Sequence, residues 1–390
     1  MKSDAPAPVS GPIATTPQTR RVVSVDALRG FDMFWILGGD SLAQALKEMS
    51  ARGNGAVSSV GRFFGDQLDH VGWAGFRFYD LIFPLFVFIV GVSLVFSLTK
   101  LVEREGKAAA HQRVMRRFVL LFVLALIYSG GVSHAWPDIR LLGVLNRIAL
   151  CYLFASLLFL NFRLRGLIIA CVSLLVGYWA LMTFVPVPGI GAGSFAKGAN
   201  LANWIDSQYL PGKRWDGAWD PEGYLSTLPA IGTCLLGVFA GLLLKNTQID
   251  EHRKSLWLVG AGVVMVAVGF AWGLQFPVIK KIWTSSYVLV AGGYSAMLLG
   301  VFHYVIDVRG RRRWATPFIW IGANAITLYF LDNIVGYEKL AARLVGGDVS
   351  TFLDARVAAG AGHLVAACAG LLLAIVLARF LYRRKIFLRV

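Results

Sequence analysis

The sequence predicts an all-α integral membrane protein, a polytopic bundle of about ten transmembrane helices with both termini in the cytoplasm. Three observations support this fold class. The chain is 57% hydrophobic and only 15% charged. Its apolar runs are about 20 residues long, the length that a helix needs to cross a bilayer. These runs are continuous and do not alternate, which favours helices over a closed β-barrel. The composition excludes a soluble globular protein.

The distribution of Lys and Arg predicts the orientation of these helices. The net charge of +16 indicates topology and not a nucleic-acid partner, because basic residues accumulate on cytoplasmic loops. With the N-terminus inside, the inner loops hold 23 Lys and Arg, and the outer loops hold 13. Residues 1–21 are predicted to be a disordered cytoplasmic tail, and 22–390 a single transmembrane domain. The predicted spans are 22–46, 76–98, 118–136, 141–161, 167–185, 226–244, 256–275, 285–305, 317–335 and 362–381.

The first predicted span is unusual because it carries charged side chains, which in a bilayer face a protein interior or an aqueous cavity. Asp26 and Arg29 are three residues apart on one helix face, so they either form a structural pair or offer a cation to a ligand. Asp40 lies about 21 Å further along the helix axis, near the outer face. Arg147 in the fourth span also needs an anionic partner. Asp26, Asp32 or a ligand phosphate would serve.

His70 is the titratable residue whose surroundings best suit catalysis. It lies in an outer loop before the second span, near glycines that permit close approach of a substrate. Asp66, Asp69 and Asp80 flank it, and any of them would fix its tautomer and raise its basicity. A lone histidine at a membrane surface is also a common structural hydrogen-bonding group. The spacing alone therefore leaves both roles open.

Two loop regions suggest ligands. The outer loop 186–225 combines rings and carboxylates, which suit a sugar, although tryptophan is also common at any membrane interface. These residues are Trp204, Trp215, Trp219, Asp206, Asp216, Asp220 and Glu222. Inner basic clusters at 113–117 and 309–313 either bind cofactor phosphates or set orientation and contact lipid headgroups. The sequence has no phosphate-binding loop, zinc-type spacing or Gly-x-Ser-x-Gly motif, so no metal site is predicted.

Seven short blocks follow one another along the chain. They are 24–30 (Ser-Val-Asp-Ala-Leu-Arg-Gly), 80–91 (beginning Asp-Leu-Ile-Phe-Pro), 143–147 (Gly-Val-Leu-Asn-Arg), 220–223 (Asp-Pro-Glu-Gly), 281–287 (beginning Lys-Ile-Trp), 322–325 (Gly-Ala-Asn-Ala) and 384–387 (Arg-Lys-Ile-Phe). In this order they resemble the heparan-α-glucosaminide N-acetyltransferase family. The resemblance runs from about residue 22 to the end, and the order makes it more specific than any single block.

The resemblance implies an enzyme that moves an acetyl group from cytosolic acetyl-CoA to the amine of a terminal glucosamine across the membrane. The family's active histidine precedes a Trp and the Asp-Leu-x-Phe-Pro block, so it corresponds to His70, ahead of Trp73 and Asp80. A polar residue beside that histidine corresponds to Asp40, where the human member has Asn. Asp332 stands where the human member has His. A homodimer in the bacterial inner membrane is also implied.

These observations predict a transmembrane acyltransferase in which His70 accepts the acetyl group or deprotonates the amine, positioned by Asp40 or Asp80. The residues predicted to bind the acetyl-CoA cofactor are Asp26, Arg29, Arg117, Asn146, Arg147, Ser286, Tyr287 and Asn324. Those predicted to bind the amino-sugar acceptor are Trp73, Trp219, Asp220 and Glu222. The alternative is an amino-sugar transporter, because charged residues within spans also suit transport, although inverted repeats are not evident.

Overall fold

The computed structural model describes residues 22–51, 56–133 and 135–388, which form helices joined by turns and loops. The predicted tail 1–21 lies outside these residues. The α-helices of the described part are α1 (Val23–Ser50), α2 (Ala56–Gln67), α3 (Ile82–Tyr128), α4 (Val144–Asn161), α5 (Leu164–Phe184), α6 (Leu201–Tyr209), α7 (Thr227–Lys245), α8 (Glu251–Gly273), α9 (Ser285–Phe302), α10 (Thr316–Ala323), α11 (Ala325–Val335), α12 (Tyr337–Val345), α13 (Asp348–Arg356) and α14 (Ala361–Arg383). Extended pairing there is limited to isolated β-bridges.

The all-α membrane architecture is confirmed by the length and apolarity of these helices. Within the described ranges, seven are long and apolar enough to cross a membrane: α3, α4, α5, α7, α8, α9 with the π-helical turn that follows it, and α14. The bent pair α10 and α11 counts as an eighth. Helix α1, which carries four charged residues between Asp26 and Asp40, is not among them. The count of ten spans stays a prediction.

Several segments predicted as loops are helical. The predicted inner loop 100–117 belongs to α3, because its Glu, Lys and Ala residues are strong helix formers. Two predicted spans therefore lie on one long element, which is interrupted at Gly106, where φ is 85°. The predicted outer loops contain α2, α6, α12 and α13. The predicted ninth span is bent by 77° between α10 and α11, at Asn324.

Helix α3 packs against α4 and α7, and its first half contacts α7. Two glycines permit this crossing. A Cβ atom on Gly91 would lie 2.0 Å from the carbonyl oxygen of Cys234, and one on Gly237 would lie 1.9 Å from that of Phe88. The two backbones are therefore in direct contact, as is typical of small residues between transmembrane helices. This contact fixes the outer end of α3 relative to the loop that precedes α7.

Replacing Gly237 by Ala is expected to lower the unfolding stability of the protein in detergent by about 1–3 kcal/mol, because the methyl group forces α3 and α7 apart. Gly177 on α5 is the matched control, since a Cβ atom there meets nothing within 4 Å. Thermal unfolding followed by tryptophan fluorescence measures both variants. Equal midpoints for Gly237→Ala and Gly177→Ala would contradict the close contact.

Candidate active site

His70 and Asp80 form a hydrogen-bonded pair at the N-terminal end of α3. Asp80 lies in a short 3₁₀-helix, Phe78–Leu81, directly before α3. His70 Nδ1 lies 2.9 Å from Asp80 Oδ1, with the imidazole 47% exposed and the carboxylate 2% exposed. Because a carboxylate only accepts hydrogen bonds, this contact places the ring proton on Nδ1. Nε2 then carries the lone pair that a general base or nucleophile requires.

The loop backbone holds Asp80 in place. Its second oxygen, Oδ2, accepts from the backbone N–H groups of Arg77 at 3.1 Å and Val71 at 3.3 Å. Its carbonyl oxygen accepts from the hydroxyl of Tyr287 at 2.7 Å. These contacts favour the ionised carboxylate and fix its direction. Tyr287, which was predicted to bind the cofactor, therefore supports the His70–Asp80 pair from inside the bundle.

Lys280 completes this cluster, and sequence reasoning missed it. It lies in the loop between α8 and α9, which pairs with the His70 loop through the Ala74–Ile279 bridge. Its Nζ is 3.0 Å from His70 Nδ1, 3.4 Å from Nε2 and 3.6 Å from Asp80 Oδ1. Burial lowers the pKa of Lys280, while nearby carboxylates oppose that shift.

A cavity of about 520 Å³ opens beside these residues and continues into the bundle. Five of the predicted site residues line it: Asp40, His70, Asp80, Asn146 and Glu222. Lining residues that were not predicted to form the site include Arg140, Trp215, Lys280, Lys281 and Asp332. The wall runs along α1 from Asp40 to Met33, which is about 10 Å of helix. The cavity thus leads from the loops around His70 into the helical bundle.

The charge of the cavity wall is opposite to that of the protein. Four acidic residues line it, Asp40, Asp80, Glu222 and Asp332, against the three basic residues Arg140, Lys280 and Lys281. The whole chain carries a net charge of +16. A surplus of carboxylate inside a strongly basic protein favours a cationic or hydroxyl-bearing ligand over an anionic one.

Arg140, which lies just before α4, connects the outer loop 186–225 to the cavity. Its guanidinium contacts Asp220 at 2.7 and 2.8 Å and Glu222 at 2.6 Å, and it lies 5.0 Å from the ring centre of Trp215. The ion pair lowers the pKa of Asp220, whereas burial raises that of Glu222. Trp215 is 70% exposed at the cavity mouth, so it offers the free aromatic surface there.

Replacing Arg140 by Met is expected to lower the unfolding stability by roughly 3 kcal/mol, because two buried carboxylates lose their shared cation. Lys197, an exposed basic residue of the outer loop 186–225, provides the control variant Lys197→Met. Chemical unfolding monitored by fluorescence compares the two. An Arg140→Met protein as stable as the control would show that the pair is only a surface contact.

Three of the predicted acceptor-binding residues, Trp73, Trp219 and Asp220, lie behind the cavity wall. The indole nitrogen of Trp73 donates to the carbonyl of Phe195 at 2.9 Å, and its ring meets that of buried Trp219 edge to face. Asp220 faces Arg140. These side chains hold the outer loop in position, and Glu222 is the predicted acceptor-binding residue that lines the cavity.

The predicted pair near the N-terminal end of α1 is present. Arg29 Nη1 lies 3.4 Å from Asp26 Oδ1, and Arg29 Nη2 donates to Ser93 on α3 at 2.7 Å. The protein partners of Arg147 are not Asp26 or Asp32, as the sequence suggested. Arg147 donates to the carbonyl of Gly223 and the hydroxyl of Ser226, and it stacks on Trp283. The loop before α7 folds over the first turn of α4 and supplies these contacts.

The remaining predicted residues lie at different depths. Arg117 lies over the ring of Tyr152 at 4.6 Å, and Ser286 donates to the carbonyl of Phe276 at 2.6 Å. Asn324 stands at the bend between α10 and α11. Its buried side-chain amide has no hydrogen-bond partner in the described part of the chain. Asn146 lines the cavity, and its Nδ2 likewise lacks an acceptor there. Within residues 22–51, 56–133 and 135–388, no group of three His, Cys, Asp or Glu is arranged to hold a metal ion.

Comparison with known proteins assigns a family to this arrangement. The family model described as heparan-alpha-glucosaminide N-acetyltransferase, catalytic, matches residues 21–269. The chain is 30% identical over 332 residues to heparan-alpha-glucosaminide N-acetyltransferase of Homo sapiens, covering 69% of this chain and 48% of that protein. Identity to the Mus musculus protein of that name is 27% over 333 residues, covering 70% and 49%. The chain thus spans about half the length of these curated relatives. Because the family model matches more than half of the chain, this protein belongs to the heparan-alpha-glucosaminide N-acetyltransferase catalytic family.

Proposed function

We propose that this protein is a transmembrane acyltransferase that moves an acetyl group from cytosolic acetyl-CoA to the amine of a glucosamine-type sugar on the outer side. The observation that carries the proposal is the position of the His70–Asp80 pair. It joins an outer loop to a cavity that continues into the membrane. A base or nucleophile in that position can meet a donor from one side and an acceptor from the other.

The donor is proposed to enter from the cytoplasmic end of the bundle. Arg29, beside Asp26 and Ser93, and Arg117 stand near that end and suit the phosphates of the coenzyme. Asn146 fits the thioester end, since it lines the cavity and its buried Nδ2 has no acceptor in the described part of the chain. Arg147 is buried behind the cavity wall, where it stacks on the lining residue Trp283.

Asp80 sets the chemistry of His70 by holding the proton on Nδ1. Two routes use the free Nε2. In one, Nε2 attacks the thioester carbon, the C–S bond breaks with thiolate as the leaving group, and the amine then displaces the imidazole. In the other route, the amine nitrogen attacks the thioester carbon directly, while Nε2 removes a proton from that amine. Both routes end in a new amide bond and free coenzyme thiol.

The acceptor is proposed to be an amine because of the carboxylates in the cavity wall. Asp40 and Asp332 face the cavity from α1 and α11, and Glu222 faces it from the outer loop. These groups attract an ammonium ion and accept hydrogen bonds from sugar hydroxyls. Trp215 offers an aromatic face at the mouth against which a sugar ring can pack.

The proposal includes ten spans with both termini in the cytoplasm. The surplus of Lys and Arg on the predicted inner loops supports this orientation. The division of α3 at Gly106 supports counting it as two spans, and the bent pair α10 and α11 as one. The homodimer and the bacterial inner membrane rest on the family resemblance alone.

A screen with labelled acetyl-CoA and purified protein in detergent tests the reaction. Glucosamine and other amino sugars are expected to gain the label, and N-acetylglucosamine, whose amine is blocked, is expected to gain none. Mass spectrometry of the products identifies the acceptor. Release of free coenzyme without any labelled amide, across the whole amine panel, would contradict the proposed transfer.

A further inference from the structure

Lys280 lies beside the reactive nitrogen of His70, and neither proposed route gives it a role. Its ammonium nitrogen lies 3.4 Å from Nε2 and 3.0 Å from Nδ1. The side chain is 20% exposed, so it is mostly enclosed by the site. It comes from a loop 210 residues away in the sequence, which the Gly75 N–H to Val278 carbonyl bond holds against the His70 loop.

The hydrogen-bonding capacity of the imidazole restricts what Lys280 can do. Nδ1 has one in-plane position, and it carries either a proton or a lone pair. Nδ1 carries the proton and donates it in a hydrogen bond to Asp80 Oδ1 at 2.9 Å. Nδ1 therefore has no lone pair to offer Lys280. Nζ lies within 3.4 Å of both ring nitrogens, which places the ammonium over the face of the imidazole and beside the space in front of Nε2.

We propose that Lys280 stabilises the negative charge that develops on the acetyl carbonyl oxygen during transfer. This inference rests on the proposed function. When a nitrogen attacks the thioester carbon, the C=O electron pair moves onto oxygen, and it returns as the C–S bond breaks and thiolate leaves. An oxygen on a carbon bonded to Nε2 lies about 2.3 Å from that nitrogen. An ammonium 3.4 Å from Nε2 can therefore reach such an oxygen at about 2.7–3.1 Å.

Burial and nearby carboxylates act in opposite directions on the charge of Lys280. Asp80, Glu222 and Asp40 face it from the 3₁₀-helix, the outer loop and α1, and each favours the ammonium form. Burial acts in the opposite direction and lowers its pKa. The ammonium form is therefore lost at a lower pH than for an exposed lysine. Because the role requires the charged form, kcat should fall as pH rises through this pKa.

The test compares Lys280→Met and Lys280→Arg with Lys281→Met in the labelled acetyl-CoA assay. Lys280→Met is expected to lower kcat by about 10²–10³-fold with little change in the KM for the amine, since the contact forms in the transition state. Lys281 lines the same cavity but pairs with Asp216 at 2.7 Å, so its variant should lose less activity than Lys280→Met. Lys280→Arg should recover part of kcat and move the alkaline decline to higher pH, because arginine stays protonated.

The outcomes separate this inference from the function on which it depends. A folded Lys280→Met protein with kcat within about threefold of wild type, while wild type transfers acetyl normally, overturns the role of Lys280 alone. A wild-type protein that transfers no acetyl to any amine overturns both. If the Met variant unfolds in a thermal scan, the Lys280→Arg profile decides. An unchanged alkaline limb in that variant contradicts the proposal, and a shifted limb supports it.

Discussion

His70→Ala is expected to lower the rate of acetyl transfer by at least about 10³-fold, because it removes the base or nucleophile at the cavity. Binding of acetyl-CoA should remain, since the residues proposed to hold the coenzyme lie elsewhere. Stopped-flow or endpoint assays with labelled acetyl-CoA measure the rate, and isothermal calorimetry measures the binding. The imidazole is 47% exposed, so the truncation leaves no large void and the fold should survive.

His252→Ala is the control for this variant. His252 lies in the first turn of α8, and its ring contacts Tyr304. Neither residue lines the cavity. The control is expected to keep wild-type activity. A His70→Ala protein that folds, binds acetyl-CoA and transfers acetyl at the control rate would show that His70 is a structural residue.

Asp80→Asn is expected to lower kcat by about 10²–10⁴-fold while preserving the shape of the site. The amide oxygen can still accept from the backbone N–H groups of Arg77 and Val71. Its NH₂ group, however, donates to Nδ1 and so favours the tautomer with the proton on Nε2. The histidine then presents a donor to the substrate where catalysis needs a lone pair.

Asp69→Asn provides the matched control for Asp80→Asn. Asp69 is the immediate neighbour of His70 but accepts from its backbone N–H at 2.7 Å and pairs with Lys47, without contacting the ring. Its neutralisation is expected to change kcat less than about threefold. Equal losses in the two variants would mean that general negative charge, and not tautomer control by Asp80, supports the reaction.

Features set by nearby residues were predicted correctly from the sequence. Asp26 and Arg29 lie one helical turn apart, and helix geometry alone brings them together. Asp80 lies ten residues from His70, and the sequence placed it among three candidate partners. The structure selects it because the 3₁₀-helix before α3 turns its carboxylate back toward the loop.

Features set by distant packing were not predicted. Lys280 meets His70 only because the loop before α9 pairs with the loop before α3, and no local pattern distinguishes it from Lys281. The partners of Arg147 come from the loop before α7, which no periodicity places near α4. The predicted inner loop 100–117 was assigned from its charge, although its residues favour helix continuation.

Sidedness is the most direct test of transfer across the membrane. Purified protein in sealed vesicles receives glucosamine trapped inside and labelled acetyl-CoA, which does not cross lipid, outside. The proposal predicts labelled N-acetylglucosamine inside the vesicles, formed only with wild-type protein and absent with His70→Ala. Glucosamine crossing the membrane unmodified and without any acetyl donor, with no amide formed, would contradict the proposal and identify a transporter.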